Sequence, residues 1–158
     1  TMIIALANII LVIFISIKNN KKEENFNEQN RKLSLVKTLV LDYNMANFYD
    51  FFKKLTKESM KLKEVNLTIE HKKSINNKIV DLATSFRQDF ADLFLAIDIN
   101  LYDNILNRMD LLTDALTNTI FDEGINLSHI PKFEELVGSE LRKSKTEIIQ
   151  ILFSYSGK

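Results

Sequence analysis

Hydrophobic and polar positions divide this chain into three regimes. Residues 2–17, MIIALANIILVIFISI, form a run without charge, proline or glycine, in which Asn8 and Ser16 are the only polar side chains. Residues 18–32, KNNKKEENFNEQNRK, invert that pattern, with Phe26 the one apolar side chain among fifteen. From Leu33 onward apolar residues recur every three or four positions, the spacing of one helix face. Leu33, Val36, Leu39, Val40, Tyr43 and Ala46 begin a stripe that Phe48, Phe51, Phe52, Leu55 and Leu62 continue, with Ser59 as its one polar step. The pattern predicts one long helix over roughly residues 30–64, kinked near 44–47. A second stripe, Ile75, Ile79, Leu82, Phe86, Phe90, Leu93 and Ile97, predicts a helix of about six turns, with Asn66 as its N-cap. Residues 98–100 interrupt it, and Asn100 or Asp103 is placed to cap a renewal. Leu101, Ile105, Met109, Leu112, Leu116 and Ile120 carry the next helix, which ends before Gly124 as a C′ residue. Ser128-His-Ile-Pro131 opens the last, with proline near its first turn and Phe133, Val137, Leu141, Ile148, Leu152 and Tyr155 along its face.

These elements predict an all-α fold: one N-terminal transmembrane helix followed by a soluble antiparallel bundle of three to five helices. The divisions are an anchor over 2–17, a polar juxtamembrane spacer over 18–32, flexible or a helix continuing from the anchor, and a helical soluble domain over 33–157. Composition agrees, since 3 Gly and 1 Pro in 158 residues are too few for the frequent turns of a β-rich chain. Short connections near 65 and 125 favour antiparallel neighbours.

The apolar run would make about 24 Å of helix, a little short of a hydrocarbon core of about 30 Å, and Lys18 can snorkel to the interface. No basic segment precedes it and no small-x-small site follows, so it does not read as a cleaved signal peptide. The lysines of its C-terminal flank predict a single-pass protein with the soluble domain in the cytoplasm. Thr1 is not an initiator residue, so the expectation is either an initiator Met removed before a small residue or missing upstream sequence, which leaves room for another span. Zero net charge conceals an asymmetry: residues 18–78 hold 14 Lys/Arg against 8 Asp/Glu, and residues 79–158 hold 7 against 13. A basic half beside the anchor suits an anionic leaflet, although lysine-rich solvated faces would give the same count. The alternative reading is an extracytoplasmic sensor or scaffold domain tethered the other way.

Little in the sequence points to chemistry. There is no Cys, and two His without Cys exclude a structural zinc site. Glu70-His71 lacks the Glu-x-x-His spacing of di-metal bundles, and no nucleophile-elbow or phosphate-loop motif occurs. Neither a metal, a cofactor nor an enzymatic activity is expected, and no nucleic acid partner. The candidate ligand-binding residues are the cations Lys53, Lys54, Lys57, Lys61, Arg87 and Arg108, able to meet phosphate or carboxylate on an anionic small molecule. A solvated lysine face, and structural ion pairs for the arginines (Arg87 with Asp89 across helices), are the competing readings. Asp103, Asp110 and Asp114 are spaced to share one side of their helix. The expected function is a non-enzymatic signalling or effector protein that acts by oligomerisation or ligand sensing coupled to its membrane helix. One span cannot form a pore alone, so a homo-oligomer is expected. In layout, without a shared motif, the chain is similar to small membrane-bound effectors of bacterial defence and signalling.

Overall fold

A computed structural model describes residues 2–157, and for residues 2–14 the backbone alone. Helix α1, Met2–Leu35, winds directly into a π-helical segment, Val36–Asp42. The polar spacer is therefore helical, on the same rod as the apolar run. Between residues 17 and 35 that rod is about 27 Å long. Its side chains from 15 to 28 are exposed, and burial starts only where Val36 and Val40 enter the core. Among the described residues no helix is long and apolar enough to cross a membrane. The anchor expected over 2–17 falls, for the side chains of 2–14, outside the described residues.

The single helix expected over 30–64 is two. At Tyr43 and Asn44 φ falls to −113° and −112°, and ψ at Asn44 to −3°. The Asn44 side chain donates to the Leu39 carbonyl and its backbone amide to Val40. An asparagine that bonds back onto the preceding turn competes with helix propagation, so the expected kink becomes a break. Helix α2, Met45–Ser59, then runs into a 3₁₀ turn, Met60–Lys63. Helix α3 runs Ile69–Phe86, passes a π turn at Arg87–Ala91 and closes with Asp92–Leu95. Helix α4 is Ile99–Phe121. Helix α5 starts at Ile130–Phe133 with Pro131 in its first turn, passes a π turn at Glu134–Gly138 and continues as Ser139–Ser154. A π turn holds one extra residue. At 87–91 that residue lets Phe86, Phe90, Ala91 and Phe94 all face inward.

Three of the expected caps are replaced by neighbours. Asn66 takes a left-handed φ of 60° in the loop, and Thr68 is the N-cap of α3, its hydroxyl accepting from the His71 amide. Asp98, not Asn100 or Asp103, caps α4. Gly124 has no left-handed φ. Helix α4 ends at an extended Asp122, whose Oδ1 accepts from the Gly124 amide at 2.8 Å.

Helices α2 to α5 pack in the cyclic order α2–α3–α4–α5–α2, each antiparallel to the next. Phe48 near the start of α2 meets Phe86 and Phe90 near the end of α3. Lys63 at the end of α2 lies over the Phe133 ring at the start of α5. Asn76 and Thr117 hydrogen-bond from the early part of α3 to the late part of α4. Six phenylalanines, Phe48, Phe51, Phe52, Phe86, Phe90 and Phe94, form a connected ring cluster with centroids 4.4 to 6.2 Å apart. Each buried ring contributes about 1.5–3 kcal/mol of transfer free energy, and each favourable pair about 0.5–1.5 kcal/mol beyond that.

Candidate functional site

The six candidate cations separate into three places. Lys54 pairs with Asp50 at 2.6 Å and Lys61 with Glu58 at 2.8 Å, one turn away on the same helix. Such exposed pairs are worth little. Lys53 and Lys57 have no carboxylate within 4 Å among the described residues. They border a shallow groove of about 400 Å³ between α2 and α5, which Tyr49, Phe52, Thr56, Met60, Leu141, Arg142 and Lys145 complete. No carboxylate lines it. Lys145 Nζ sits 4.9 Å from the Tyr49 ring centroid, a cation–π distance. Arg142 is already engaged, 3.1 Å from Glu134. A ten-residue window of α2 could reveal Lys53 and Lys57. It could not reveal Lys145, which arrives from the far end of the chain.

Arg87 does not make the expected pair with Asp89. Its guanidinium donates to the Tyr102 hydroxyl at 2.9 Å and lies 3.9 Å from Asp92, with the side chain more than half exposed. Tyr102 stands one turn into α4, so the contact closes the α3–α4 corner. Arg108 is buried among partners on α5. Nη2 donates to Ser144 Oγ at 2.6 Å and to Glu140 at 3.2 Å, while Nε lies 2.5 Å from Glu147 without a well-aligned hydrogen bond. Ser144 passes the chain on by donating to the Glu140 carbonyl. Arg108 is thus a structural tie between α4 and α5.

One polar centre has no counterpart among the expected sites. Asp98, 6% exposed, accepts from the amides of Asn100 and Leu101 through Oδ1 at 3.0 and 3.3 Å. Its Oδ2 accepts from Lys32 Nζ of α1 at 2.6 Å and from the Tyr155 hydroxyl at 3.1 Å. Burial alone would raise this carboxyl's pKa. The bonds from Lys32, the Leu101 amide and Tyr155, with the Lys32 charge, hold it below the usual value instead. Tyr155 is pushed up to about 12 by burial and by the hydrogen bond and charge of Asp98. Beyond Tyr155, Gly157 adopts φ +76° and presses on α1, so close that a Cβ there would lie 2.6 Å from the Gln29 carbonyl oxygen. One carboxylate therefore joins α1, the start of α4 and the C-terminal segment.

Among the described residues no group of three or more His, Cys, Asp or Glu is placed to hold a metal ion. Asp103, Asp110 and Asp114 do lie exposed on one side of α4, as their spacing requires. Compared with protein-family models, with curated proteins and with solved structures, the chain matches none.

Proposed function

We propose that this chain is a membrane-anchored, non-enzymatic effector or interaction protein. In this reading the α2–α5 bundle meets an anionic ligand or partner, and α1 carries the consequence to the anchor over residues 2–17. The observation that carries it is the continuity of α1: one helix leads from the apolar run to Val36 and Val40 in the core, with no loop between. A helix without an interruption transmits tilt and rotation over its length, as a flexible tether of the same length would not. Asp98 and Gly157 fix its lower end to two other parts of the bundle. The run itself, uncharged for sixteen residues, suits a bilayer better than water.

Membrane fractionation tests the reading. The full chain is expected to stay with the membranes after alkaline carbonate washing, and a chain starting at residue 18 to leave them. A full chain found in the wash sinks the proposal. Orientation is tested in the same background, which has no Cys. Lys21→Cys and Ser156→Cys should resist an impermeant thiol reagent in intact cells. Labelling there would instead establish the extracytoplasmic sensor or scaffold.

A further inference from the structure

The cationic α2–α5 groove has a counterpart on the molecule itself. Because the helices follow the order α2–α3–α4–α5–α2, the α2–α5 seam and the α3–α4 seam lie on opposite sides of the bundle. The α3–α4 seam is a depression of about 380 Å³ bordered by Val80, Leu106, Asp110 and Asp114, with Arg87 at one end. Arg87 is held by Tyr102 and Asp92. Asp110 and Asp114 are exposed and have no cation within 4 Å among the described residues. On the other side, Lys53, Lys57 and Lys145 are equally without carboxylate partners. Each seam also exposes apolar surface: Val80 at 41% on the acidic side, Tyr49 at 48% and Met60 at 52% on the basic one.

Spacing and height match as well as sign. Lys53 and Lys57 are one helical turn apart, and so are Asp110 and Asp114. Measured from Met45, Lys53 and Lys57 lie about 12 and 18 Å along α2. Measured from Ile99, at the same end of the bundle, Asp110 and Asp114 lie about 17 and 23 Å along α4. Two copies set side by side in the same orientation would thus bring the pairs together with a shift of about 5 Å, one helical turn. Their α1 helices would leave on the same side, as two copies held in one membrane require.

We infer that the α2–α5 groove of one copy receives the acidic α3–α4 face of a second copy. The contact is heterologous, since each copy offers a different face, and its repetition gives a ring or an open row. Charge complementarity selects the partner and its register, and Met60, Tyr49, Val80 and Leu106 supply the apolar area. The inference deepens the partner half of the proposed function and stands without the membrane half.

The test uses the full chain in mild detergent. With no native Cys, a Lys57→Cys copy and an Asp114→Cys copy should be joined by a short bis-maleimide when mixed, and neither should join to itself. Lys53→Glu/Lys57→Glu and Asp110→Lys/Asp114→Lys should each lose self-association by sedimentation velocity, and mixing the two should restore it. Raising salt from about 0.1 M to about 1 M shortens the screening length from about 10 to about 3 Å and should weaken association about tenfold or more. A chain that is monomeric at every concentration overturns the inference. So does a Lys57→Cys copy that links to itself as readily, or association that survives both charge reversals. A fractionation failure would leave these results unchanged, so the two proposals fail separately.

Discussion

Replacing Asp98 by alanine removes, at one atom group, the α4 cap and both tethers of α1 and the C-terminal segment. The magnitude follows from its four contacts. Loss of the N-cap costs about 1 kcal/mol. Hydrogen bonds to a charged acceptor are worth about 1.5–3 kcal/mol each when the acceptor is buried, and the Asp98 side chain is 3% exposed. Lys32, at 23%, can swing its ammonium to water and recover part of its share. Tyr155 can turn outward in the same way. The expected cost is about 3 kcal/mol, which in a chain of this size lowers Tm by roughly 6–12 °C. Asp98→Asn separates the contributions, because asparagine is an equally good N-cap but carries no charge for Lys32. Its cost should be about 1–2 kcal/mol. Urea unfolding of the three proteins measures these differences. Hydrogen exchange over residues 29–42 should rise in Asp98→Ala before exchange in α4 does. If Asp98→Ala and wild type differ by less than about 1 kcal/mol, the carboxylate does not join the three segments and the reasoning fails.

The same centre should set the pH limits of α1 docking. The folded Asp98 pKa is depressed, so its stabilisation is complete above the unfolded value of about 3.9. It disappears as pH falls through the lower folded value, and acid unfolding should be steeper in wild type than in Asp98→Asn. Tyr155 is raised, so its contribution is complete below about pH 10 and is lost as pH climbs through about 12. Absorbance titration should show the Tyr155 phenolate forming late, and Asp98→Asn should bring it only part of the way back, because burial remains. Arg108 predicts an order of effects. Glu140→Gln with Glu147→Gln strands a buried guanidinium and should cost about 3–5 kcal/mol. Arg108→Met leaves two partly exposed carboxylates that water can reach, and should cost less than half of that by urea unfolding. Ser59 is fully buried with an unpartnered hydroxyl, so Ser59→Ala should be neutral or stabilise by about 1 kcal/mol; a clear loss of Tm would mean that the hydroxyl has a partner.

Periodicity was enough for the core from Phe48 onward, where burial follows helical spacing. Before it, Val36 and Val40 are buried but Leu33, Leu39, Tyr43 and Ala46 of the same stripe are exposed, because α1 and its π segment touch the bundle along only a narrow strip. Every residue named on the α4 stripe is buried, as are Phe133, Val137, Leu141, Ile148 and Leu152 on α5. Caps were harder, since a capping residue is defined by where a helix starts, and a start two residues earlier than expected makes Asp98 the cap in place of Asn100 or Asp103. Arg108 carried a readable signal that spacing analysis of apolar residues passes over. It stands three residues after Ile105 and four before Leu112, inside the buried face, and Ser144 stands likewise between Leu141 and Ile148. A cation in phase with an apolar stripe must find partners on the facing helix. Contacts between distant segments had no such signal. Lys32 and Asp98 are 66 residues apart, and the α2–α5 groove exists only because Lys145 returns beside Tyr49.

The distribution of burial decides which part of the molecule can respond. Among the described residues, helix α1 and its π segment contribute Val36 and Val40 to a core of twenty-seven buried apolar residues. The two valines supply about 3–5 kcal/mol as an upper bound, against an aromatic cluster and four interlocked helices for the rest. Segments held by few apolar contacts open with the lowest free energies. α1 is therefore the segment that can be released while the bundle stays folded, with the Asp98 contacts a substantial fraction of what holds it. A partner or ligand needs to change the packing around residues 95–99 or 155–157 by only a few kcal/mol to alter the α1 equilibrium. The α2–α5 groove reaches the same end of the bundle through Tyr49, which touches Phe48 in the ring cluster at 5.4 Å. Phe48 in turn contacts Phe90, and Phe90 contacts Phe94, four residues before Asp98. A chain of packed rings thus lies between the surface that would meet a second copy and the carboxylate that holds α1.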